Sequence, residues 1–173
     1  MRLLIASFLF LFGVNTSLAE TRDAHQYFFD ATMGDFQSEL ATAKKEGKKG
    51  ILIMYELEDC PFCARMKQTV LNQSEVQEYF HRYFLIFPLN IKNDVEIVDF
   101  KGKATTEKAF GLAQRIYGTP VFDFFDLDGK QIVRFPGAAK DAREFLLLGR
   151  YVVEGAYKTM PFIKYKQQGQ VAQ

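Results

Sequence analysis

The sequence contains no tryptophan, only two cysteines and only two histidines among its 173 residues. Because Cys60 and Cys63 are the only cysteines, no second pair exists that could complete a four-thiolate zinc site. The histidines, His25 and His81, lie in other segments of the chain, so the sequence has no ligand spacing typical of a metal site. We therefore predict neither a metal nor another cofactor.

The chain also lacks a marked excess of charge of either sign. It has 22 Lys and Arg against 21 Asp and Glu, a formal net charge of +1. Such a balance produces no positive field for nucleic acid, so we predict no nucleic-acid partner. Hydrophobic residues make up 48% of the sequence, which is typical of a globular domain and not of a disordered chain.

The apolar run near the N-terminus is shorter than the roughly 20 residues that span a bilayer. It extends from Leu3 to Val14, follows Arg2 and is succeeded by Ser17-Leu18-Ala19. A basic start, an apolar middle and small residues at the last and third-last positions are typical of a secretory signal peptide. We predict cleavage after Ala19, a periplasmic location and no stable membrane insertion afterwards; an uncleaved anchor is the alternative. Export would place the cysteines where disulfides persist.

The hydrophobic pattern of the remaining chain predicts alternating helices and strands. Two short apolar runs, Gly50 to Tyr55 and Phe84 to Ile91, are typical of buried strands. Val121 to Phe125 and Gln131 to Phe135 flank Asp128-Gly129, which is a strong hairpin signal. The predicted order is helix, strand, helix, helix, strand, helix, hairpin, helix. Since strand–helix–strand implies a parallel pair, we predict an α/β fold whose mixed central sheet has helices on both faces.

We divide the sequence into four parts with different expected roles. These are a signal peptide (1–19), an N-terminal extension (20–34), the main domain (35–163) and a polar C-terminal tail (164–173) that is expected to fray. Within the domain, 92–106 is predicted to be an insertion between the second core strand and the following helix, with a short hairpin. Capping signals predict helix starts at four places: Asp35, Ser74 with Gln77, Thr105 or Thr106, and Asp141 with Glu144.

The two cysteines stand in EDCPFCARMK, residues 58–67, between a predicted strand and a predicted helix. A helix N-terminus carries partial positive charge and free N–H groups, which favour a thiolate over a thiol. Pro61 suits the first helical turn, and Cys63 lies one turn beneath Cys60. A Cys60 thiolate can attack a partner's disulfide, and Cys63 can then resolve the mixed disulfide. The arrangement indicates redox exchange.

Other uses of the cysteine pair are less favoured by the residues. A c-type haem site needs Cys-x-x-Cys-His, but Ala64 occupies the histidine position. A metal clip lacks two further ligands. A purely structural disulfide would close so short a loop that it would constrain the unfolded chain little, because stabilisation grows with loop length.

Several motifs in order resemble the thioredoxin superfamily over roughly residues 36 to 157. They are EDCPFCARMK after an apolar strand, GTP before the hairpin, the DLDGK turn and a closing helix. The resemblance implies a thioredoxin-like fold, with Cys60 as attacking and Cys63 as resolving cysteine. It also implies that Pro120 is cis and packs against the pair, whereas an X-Pro bond is ordinarily trans. Thr119 would offer its backbone to an extended substrate segment.

Further features resemble exported thioredoxin-like proteins of the SoxW type, which are associated with bacterial sulfur oxidation. They are YELEDCPFCARM, an insertion ending near Gly102-Lys103, and RYVVEGAYKTMPFIKY. The chain departs from cytosolic thioredoxins in its lack of Trp, and Pro61-Phe62 resembles glutaredoxins. Met54 stands where many thioredoxins carry a buried acid. Glu56 is therefore the substitute candidate for proton transfer, with a solvated glutamate as the alternative.

Together these observations predict an exported thiol–disulfide oxidoreductase that reduces disulfides of partner proteins. The expected supporting residues are Pro61, Phe62, Thr119, Pro120 and Glu56. Such a reductase needs electrons from across the membrane, so we expect a membrane electron donor as a partner. The flanking charges oppose one another and do not set the direction of electron flow, so the expectation of a reductase comes from the resemblance. The alternatives are a disulfide oxidase or isomerase, and a thioredoxin-fold binding module or chaperone with inert cysteines.

Overall fold

A mixed sheet forms the centre of the computed structural model, which describes residues 20–171. The predicted signal peptide, residues 1–19, lies outside the described residues. In chain order the described strands are β1 (Gly50–Glu56), β2 (Phe84–Asn90), β3 (Glu96–Val98), β4 (Ala104–Thr106), β5 (Val121–Phe125) and β6 (Gln131–Pro136). The main sheet has the order β2-β1-β5-β6. Strands β1 and β2 are parallel, and β5 is antiparallel to both β1 and β6. The predicted α/β fold with a mixed sheet is confirmed.

The described part of the chain has one short 3-10 helix, Ala156–Lys158, and seven α-helices that surround the strands. They are α1 (Ala24–Tyr27), α2 (Phe36–Lys45), α3 (Pro61–Thr69), α4 (Ser74–Tyr83), α5 (Glu107–Ala113), α6 (Ala142–Val153) and α7 (Phe162–Val171). Three predicted caps are confirmed, because Asp35, Thr106 and Asp141 each accept a hydrogen bond from a backbone N–H of the first turn.

The capping box predicted at Ser74 is wrong. Helix α4 follows Gln73 at the cap position, and no side chain caps it. Gln77 is buried instead, with its amide donating to the carbonyls of Leu71 and Arg22. These two carbonyls need a buried donor, and satisfying them draws Gln77 away from the helix end.

Alternating side chains of β1 point into two separate cores, as expected of a strand buried on both faces. Leu52 and Met54 belong to a core that also contains the two cysteines and parts of α1, α3, α4 and α6. Ile51, Ile53 and Tyr55 belong to a second core with α2, α5 and Ile97 of β3. The sheet therefore supports the cysteine-bearing helix on one face only.

The N-terminal segment, residues 20–34, packs against the disulfide-containing face of the sheet. Phe28 is fully buried, and its ring meets that of Phe80 edge to face at 5.9 Å. The Asp30 carboxylate accepts a hydrogen bond from the Ile86 N–H at 2.7 Å. The N-terminal segment thus packs against α4 and hydrogen-bonds to β2. Its sequence pattern did not indicate these contacts.

The insertion and the C-terminal segment both have regular structure. Strands β3 and β4 form the short antiparallel hairpin expected between residues 92 and 106, with Gly102 in the left-handed region. Residues 164–171 of the predicted tail belong to α7, which packs Phe162 and Tyr165 against Tyr151 of α6. None of the helices between residues 20 and 171 has the length and apolar character needed to cross a membrane.

Candidate functional site

The cysteine pair stands where β1 leads into α3, as the sequence predicted. Cys60 is the N-cap of the helix, and its Sγ accepts a hydrogen bond from the Cys63 N–H at 3.1 Å. Pro61 occupies the first turn, where its missing N–H leaves no hydrogen bond unmade. A disulfide joins the two cysteines, whose Cα atoms are 5.2 Å apart. The helix N-terminus therefore presents a donor directly to the sulfur of Cys60.

The disulfide borders an open cleft of about 670 Å³ between α3 and the N-terminal segment. Cys60 is 7% exposed and Cys63 is 2% exposed, so both cysteines are buried. Phe62, between them, is 59% exposed. The walls of the cleft are formed by Thr21–His25, Glu56–Glu58, Cys60, Cys63, Ala64, Lys67, Gln68 and Asn72. The pair is thus packed beneath the surface but forms part of a wall that a partner can approach.

Glu56 forms an ion pair with Lys67 at the edge of this cleft. The carboxylate and ammonium groups are 2.6 Å apart, and each side chain is only 16% exposed. The Lys67 ammonium also lies 5.7 Å from the centre of the Phe29 ring. Glu56 is therefore not the freely solvated glutamate considered as an alternative.

The two basic residues that follow Cys63 in α3, Arg65 and Lys67, both have other partners. Lys67 is paired with Glu56, and the Arg65 guanidinium donates to the carbonyls of Ala139 and Lys140. Glu58 and Asp59, immediately before Cys60, are exposed. The favourable contribution to the thiolate thus comes mainly from the helix N-terminus and the Cys63 N–H.

The peptide bond between Thr119 and Pro120 is cis, as the resemblance implied. Pro120 directly precedes β5, and Val121 lies opposite Tyr55 near the carboxyl end of β1. The cis-proline and the cysteine loop are therefore at the same end of the sheet. They border different recesses, because the cleft beside the disulfide and the groove beside Pro120 have no lining residue in common.

The groove beside Pro120 has a volume of about 390 Å³. It is lined by residues 115–121 together with Arg134, Pro136 and Gly137. Tyr117 is 82% exposed, and Arg115 has a backbone φ of 59°. The Gly137 N–H donates to the Pro120 carbonyl at 2.8 Å, which fixes one wall of the groove against the end of β6.

A buried ion pair behind this groove was missed from the sequence. Asp123 is fully buried and accepts two hydrogen bonds from the Arg134 guanidinium, at 2.7 Å from Nε and 2.6 Å from Nη2. Burial raises the pKa of Asp123, although the Arg134 charge opposes this change. An acidic residue within the apolar strand VFDFF, opposite Arg134 in a predicted hairpin, was the signal that could have revealed the pair.

Comparison with known proteins bears mainly on the fold. The sequence model of the thioredoxin-like domain family matches residues 36–152. Among the curated proteins no match was found.

Solved structures with a similar fold include a thioredoxin-fold protein from Helicobacter pylori, with 22% identity, a TM-score of 0.57 and coverage of 70% of this chain and 86% of that chain. A putative disulphide-isomerase from Bacteroides thetaiotaomicron has 23% identity, a TM-score of 0.56 and coverage of 73% and 92%. A thioredoxin from Thermus thermophilus has 23% identity, a TM-score of 0.54 and coverage of 69% and 84%. At these identities the likeness concerns the fold alone.

Proposed function

This chain belongs to the thioredoxin-like domain family, and on that premise we propose that it is an exported thiol–disulfide oxidoreductase that reduces disulfides of partner proteins. The observation that carries the proposal is the Cys60–Cys63 disulfide, which lies at the N-terminus of α3 and borders an open cleft. Pro61 and Phe62 lie between the two cysteines, and Thr119 and Pro120 lie at the same end of the sheet; we assign supporting roles to all four.

The proposed reaction begins with the pair in its dithiol form. The Cys60 thiolate attacks one sulfur of the partner's disulfide, whose S–S bond breaks and releases the other partner sulfur as a thiolate. Cys63 then loses its proton and attacks Cys60, forming the intramolecular disulfide and releasing the second partner thiol. Two electrons pass to the partner in each cycle. The Cys63 N–H, 3.1 Å from the Cys60 sulfur, would stabilise the attacking thiolate.

Glu56 is the proposed proton acceptor for Cys63. It lines the same cleft as both cysteines, and its ion pair with Lys67, 2.6 Å between the two charged groups, holds the carboxylate at the edge of that cleft. In the proposed resolving step a proton therefore passes from a thiol on the helix α3 to a carboxylate at the end of the strand β1.

We further propose the export of this chain and its relation to the SoxW type. The sequence pattern of residues 1–19 supports a signal peptide, and 35–163 forms the proposed thioredoxin-like domain. Exported reductases need a membrane donor of electrons to regenerate the dithiol. N-terminal sequencing of the periplasmic protein should show Glu20 as the first residue; an intact N-terminus would contradict cleavage.

Trapping tests the reaction. In Cys63→Ser the mixed disulfide on Cys60 cannot be resolved, so partner proteins should remain attached until dithiothreitol is added. The matched control is Cys60→Ser, which lacks the attacking sulfur and should trap nothing. Equal trapping by both variants would contradict the assigned roles. Full activity in cells of the Cys60→Ser and Cys63→Ser double variant would indicate a binding module or chaperone.

The reduction potential of the pair tests the direction of electron flow. We expect equilibration with dithiothreitol or glutathione buffers to give a value near that of thioredoxin, about −270 mV. A value near about −120 mV, typical of a strong periplasmic oxidant, would instead identify a disulfide oxidase.

A further inference from the structure

The groove beside Pro120 has a charge pattern that differs from that of the cleft beside the disulfide. Its lining contains two arginines, Arg115 and Arg134, and no Asp or Glu. The cleft, in contrast, mixes both signs: Asp23, Glu56 and Glu58 line it together with Arg22 and Lys67. A segment of a partner that enters the groove therefore meets positive charge only.

The two arginines contribute differently. Arg134 is neutralised by Asp123, but the two hydrogen bonds to that carboxylate use only two of its five N–H groups. Its side chain is 29% exposed, so a rigid donor faces the groove. Arg115 is exposed and forms no ion pair with any other residue between 20 and 171. Arg115 is therefore the uncompensated positive charge of the groove.

The backbone at Arg115 is unfavourable for an arginine. Helix α5 ends with Gln114 as C-cap, and Arg115 adopts a φ of 59° in the position after it. Glycine is the usual residue at this position, because a left-handed conformation costs other residues about 1–2 kcal/mol. The adjacent hydrogen bonds from the Arg115 N–H to Leu112 and from the Ile116 N–H to Gly111, both 2.9 Å, fix this conformation. An arginine thus occupies a position where glycine would be more stable.

Backbone groups for binding an extended segment lie in the same groove. Thr119 makes no backbone-to-backbone hydrogen bond with other parts of the described chain, so its N–H and C=O can pair with a partner by strand addition. Tyr117, 82% exposed, offers an aromatic surface two residues away. When a partner segment pairs with the backbone of Thr119, its side chains next to the paired residue lie close to the positive charge of Arg115.

We propose that this groove selects partner segments that carry an aspartate or glutamate close to the reactive cysteine. The inference rests on the proposed function and narrows its substrates to acidic disulfide-bearing segments. Arg115 supplies the charge, Arg134 supplies fixed donors, and Tyr117 covers the chain between them. Exposed Glu58 and Asp59 before Cys60 repel a second acidic group, so the selected carboxylate lies on the Pro120 side of the cysteine.

Three disulfide-bonded peptides test the proposal, identical except for Glu, Gln or Lys at the two positions next to one cysteine. Each is mixed with the dithiol protein at low salt, and the second-order rate constant of reduction is measured. We expect the Glu peptide to react about threefold to fivefold faster than the Gln peptide, which corresponds to an exposed ion pair of at most about 1 kcal/mol. The Lys peptide should be slowest, and added salt should reduce the differences.

Charge reversal provides the decisive comparison. Arg115→Glu should reverse the order of the three peptides, and Arg115→Gly, which suits the left-handed backbone, should abolish the preference without loss of stability. Lys130→Glu is the matched control, since it makes the same charge change in the exposed turn at the opposite end of β5. An unchanged order in Arg115→Glu, or the same reversal in Lys130→Glu, would overturn the proposal.

A neutral small disulfide, 2-hydroxyethyl disulfide, separates this inference from the proposed function. If the wild-type dithiol reduces it and all three peptides at equal rates, the function stands and the acidic preference is wrong. If the wild-type dithiol reduces none of the four compounds, the proposed function itself fails.

Discussion

Two tyrosine hydroxyls in the cores have opposite hydrogen-bonding environments. The Tyr55 hydroxyl is buried without a partner among the described residues, and burial raises its pKa well above the ordinary value. The Tyr151 hydroxyl donates to the Met160 carbonyl at 2.7 Å. Because a buried hydroxyl without a partner forfeits its hydration, the two residues should respond differently to loss of the oxygen.

We predict that Tyr55→Phe raises the free energy of unfolding by about 1 kcal/mol, since it removes a polar group with no partner. Tyr151→Phe should lower it by about 1 kcal/mol, the usual contribution of one hydrogen bond. Urea denaturation of both variants measures the difference. Equal destabilisation by the two substitutions would show that the Tyr55 hydroxyl has a partner, such as a buried water.

The pair of Asp123 and Arg134 predicts a pH-dependent change in stability. Burial raises the pKa of Asp123 in the folded protein above its ordinary value. The folded state therefore binds this proton more readily than the unfolded state, and the ionised carboxylate is a cost that falls as the pH drops through the raised pKa. Arg134 reduces that cost at neutral pH.

Arg134→Met should lower the free energy of unfolding by about 3 kcal/mol at neutral pH, because it leaves a buried carboxylate unpaired. The deficit should shrink as the pH falls, since protonation of Asp123 removes the unpaired charge. Denaturation curves at several pH values measure this trend. Addition of Asp123→Asn to the variant serves as the control and should restore much of the lost stability; a deficit independent of pH would contradict the explanation.

For individual residues, the sequence predicted those that belong to motifs. It missed the ion pairs that depend on strand register or on the direction of a side chain. The position of Cys60 and Cys63 between a strand and a helix followed from the local sequence pattern, and the cis bond before Pro120 followed from the resemblance. Asp123 and Arg134 are direct cross-strand neighbours, so the predicted hairpin could have suggested them. The contact of Glu56 with Lys67 depends on how α3 returns over the end of β1, which no local pattern specifies.

At the scale of elements, α4 and α6 approach closely at Gly149. A Cβ atom built at this position would lie 2.7 Å from Tyr79 and 2.9 Å from Phe80. A Cβ atom built at Gly169 of α7, by contrast, would lie 3.5 Å from the nearest atom, on Leu147, which is an ordinary contact distance. The two helical glycines differ in their surroundings, and helix propensity alone would treat them alike.

We predict that Gly149→Ala lowers the free energy of unfolding by about 1–3 kcal/mol, because overpacking outweighs the gain in helix propensity. Gly169→Ala is the matched substitution and should be neutral or stabilising by up to about 1 kcal/mol. Thermal or urea unfolding distinguishes the outcomes. Stabilisation by Gly149→Ala would mean that the two aromatic rings move aside without cost.

The N-terminal segment around the short helix α1 should contribute as much to stability as an element of the central core, through Phe28 at the C-cap of that helix. Phe28→Ala removes a fully buried ring and should cost about 3–5 kcal/mol. Tyr27→Ala is the control, since Tyr27 is 46% exposed and its loss should change stability by less than about 0.5 kcal/mol. Similar small effects for both would show that the N-terminal segment is dispensable for the fold.

Element types were predictable from hydrophobic periodicity, whereas the docking of the terminal segments was not. The strands β1, β2 and β5 are strongly apolar, and β6 follows a strong hairpin signal, so their existence was evident. The segment around Phe28 and the helix α7 are short or polar, and their positions depend on ring contacts with α4 and α6. Such contacts join residues far apart in sequence, so only the assembled core reveals them.

For the whole molecule, the sheet brings two reactive features to one end and keeps their surroundings separate. The cysteine loop follows β1, and the cis-proline precedes β5, which is paired with β1. The cleft beside the disulfide is lined by charged residues of both signs. In the groove beside Pro120, the only charged lining residues are arginines. This division lets one part of the surface control reactivity while another selects the partner.

The relative stability of the oxidised and dithiol forms of the whole protein tests the direction of electron flow. A protein whose dithiol form is the more stable acts as an oxidant, and one whose disulfide form is the more stable acts as a reductant. Here the cations near the pair are occupied by Glu56 and by backbone carbonyls, while Glu58 and Asp59 oppose a Cys60 thiolate. These contacts favour the uncharged disulfide over a thiolate.

We therefore predict that the oxidised protein requires more urea to unfold than the protein kept in dithiothreitol. Closure of a four-residue loop contributes about 2 kcal/mol by the chain-entropy estimate, and each further 1.4 kcal/mol corresponds to about 30 mV for this two-electron couple. A Cys60→Ser and Cys63→Ser variant serves as the control, because its unfolding should not depend on the reductant. If the dithiol form proves the more stable, the stabilising effect of the helix N-terminus on the thiolate exceeds the acidic repulsion. The chain would then donate disulfides instead of reducing them.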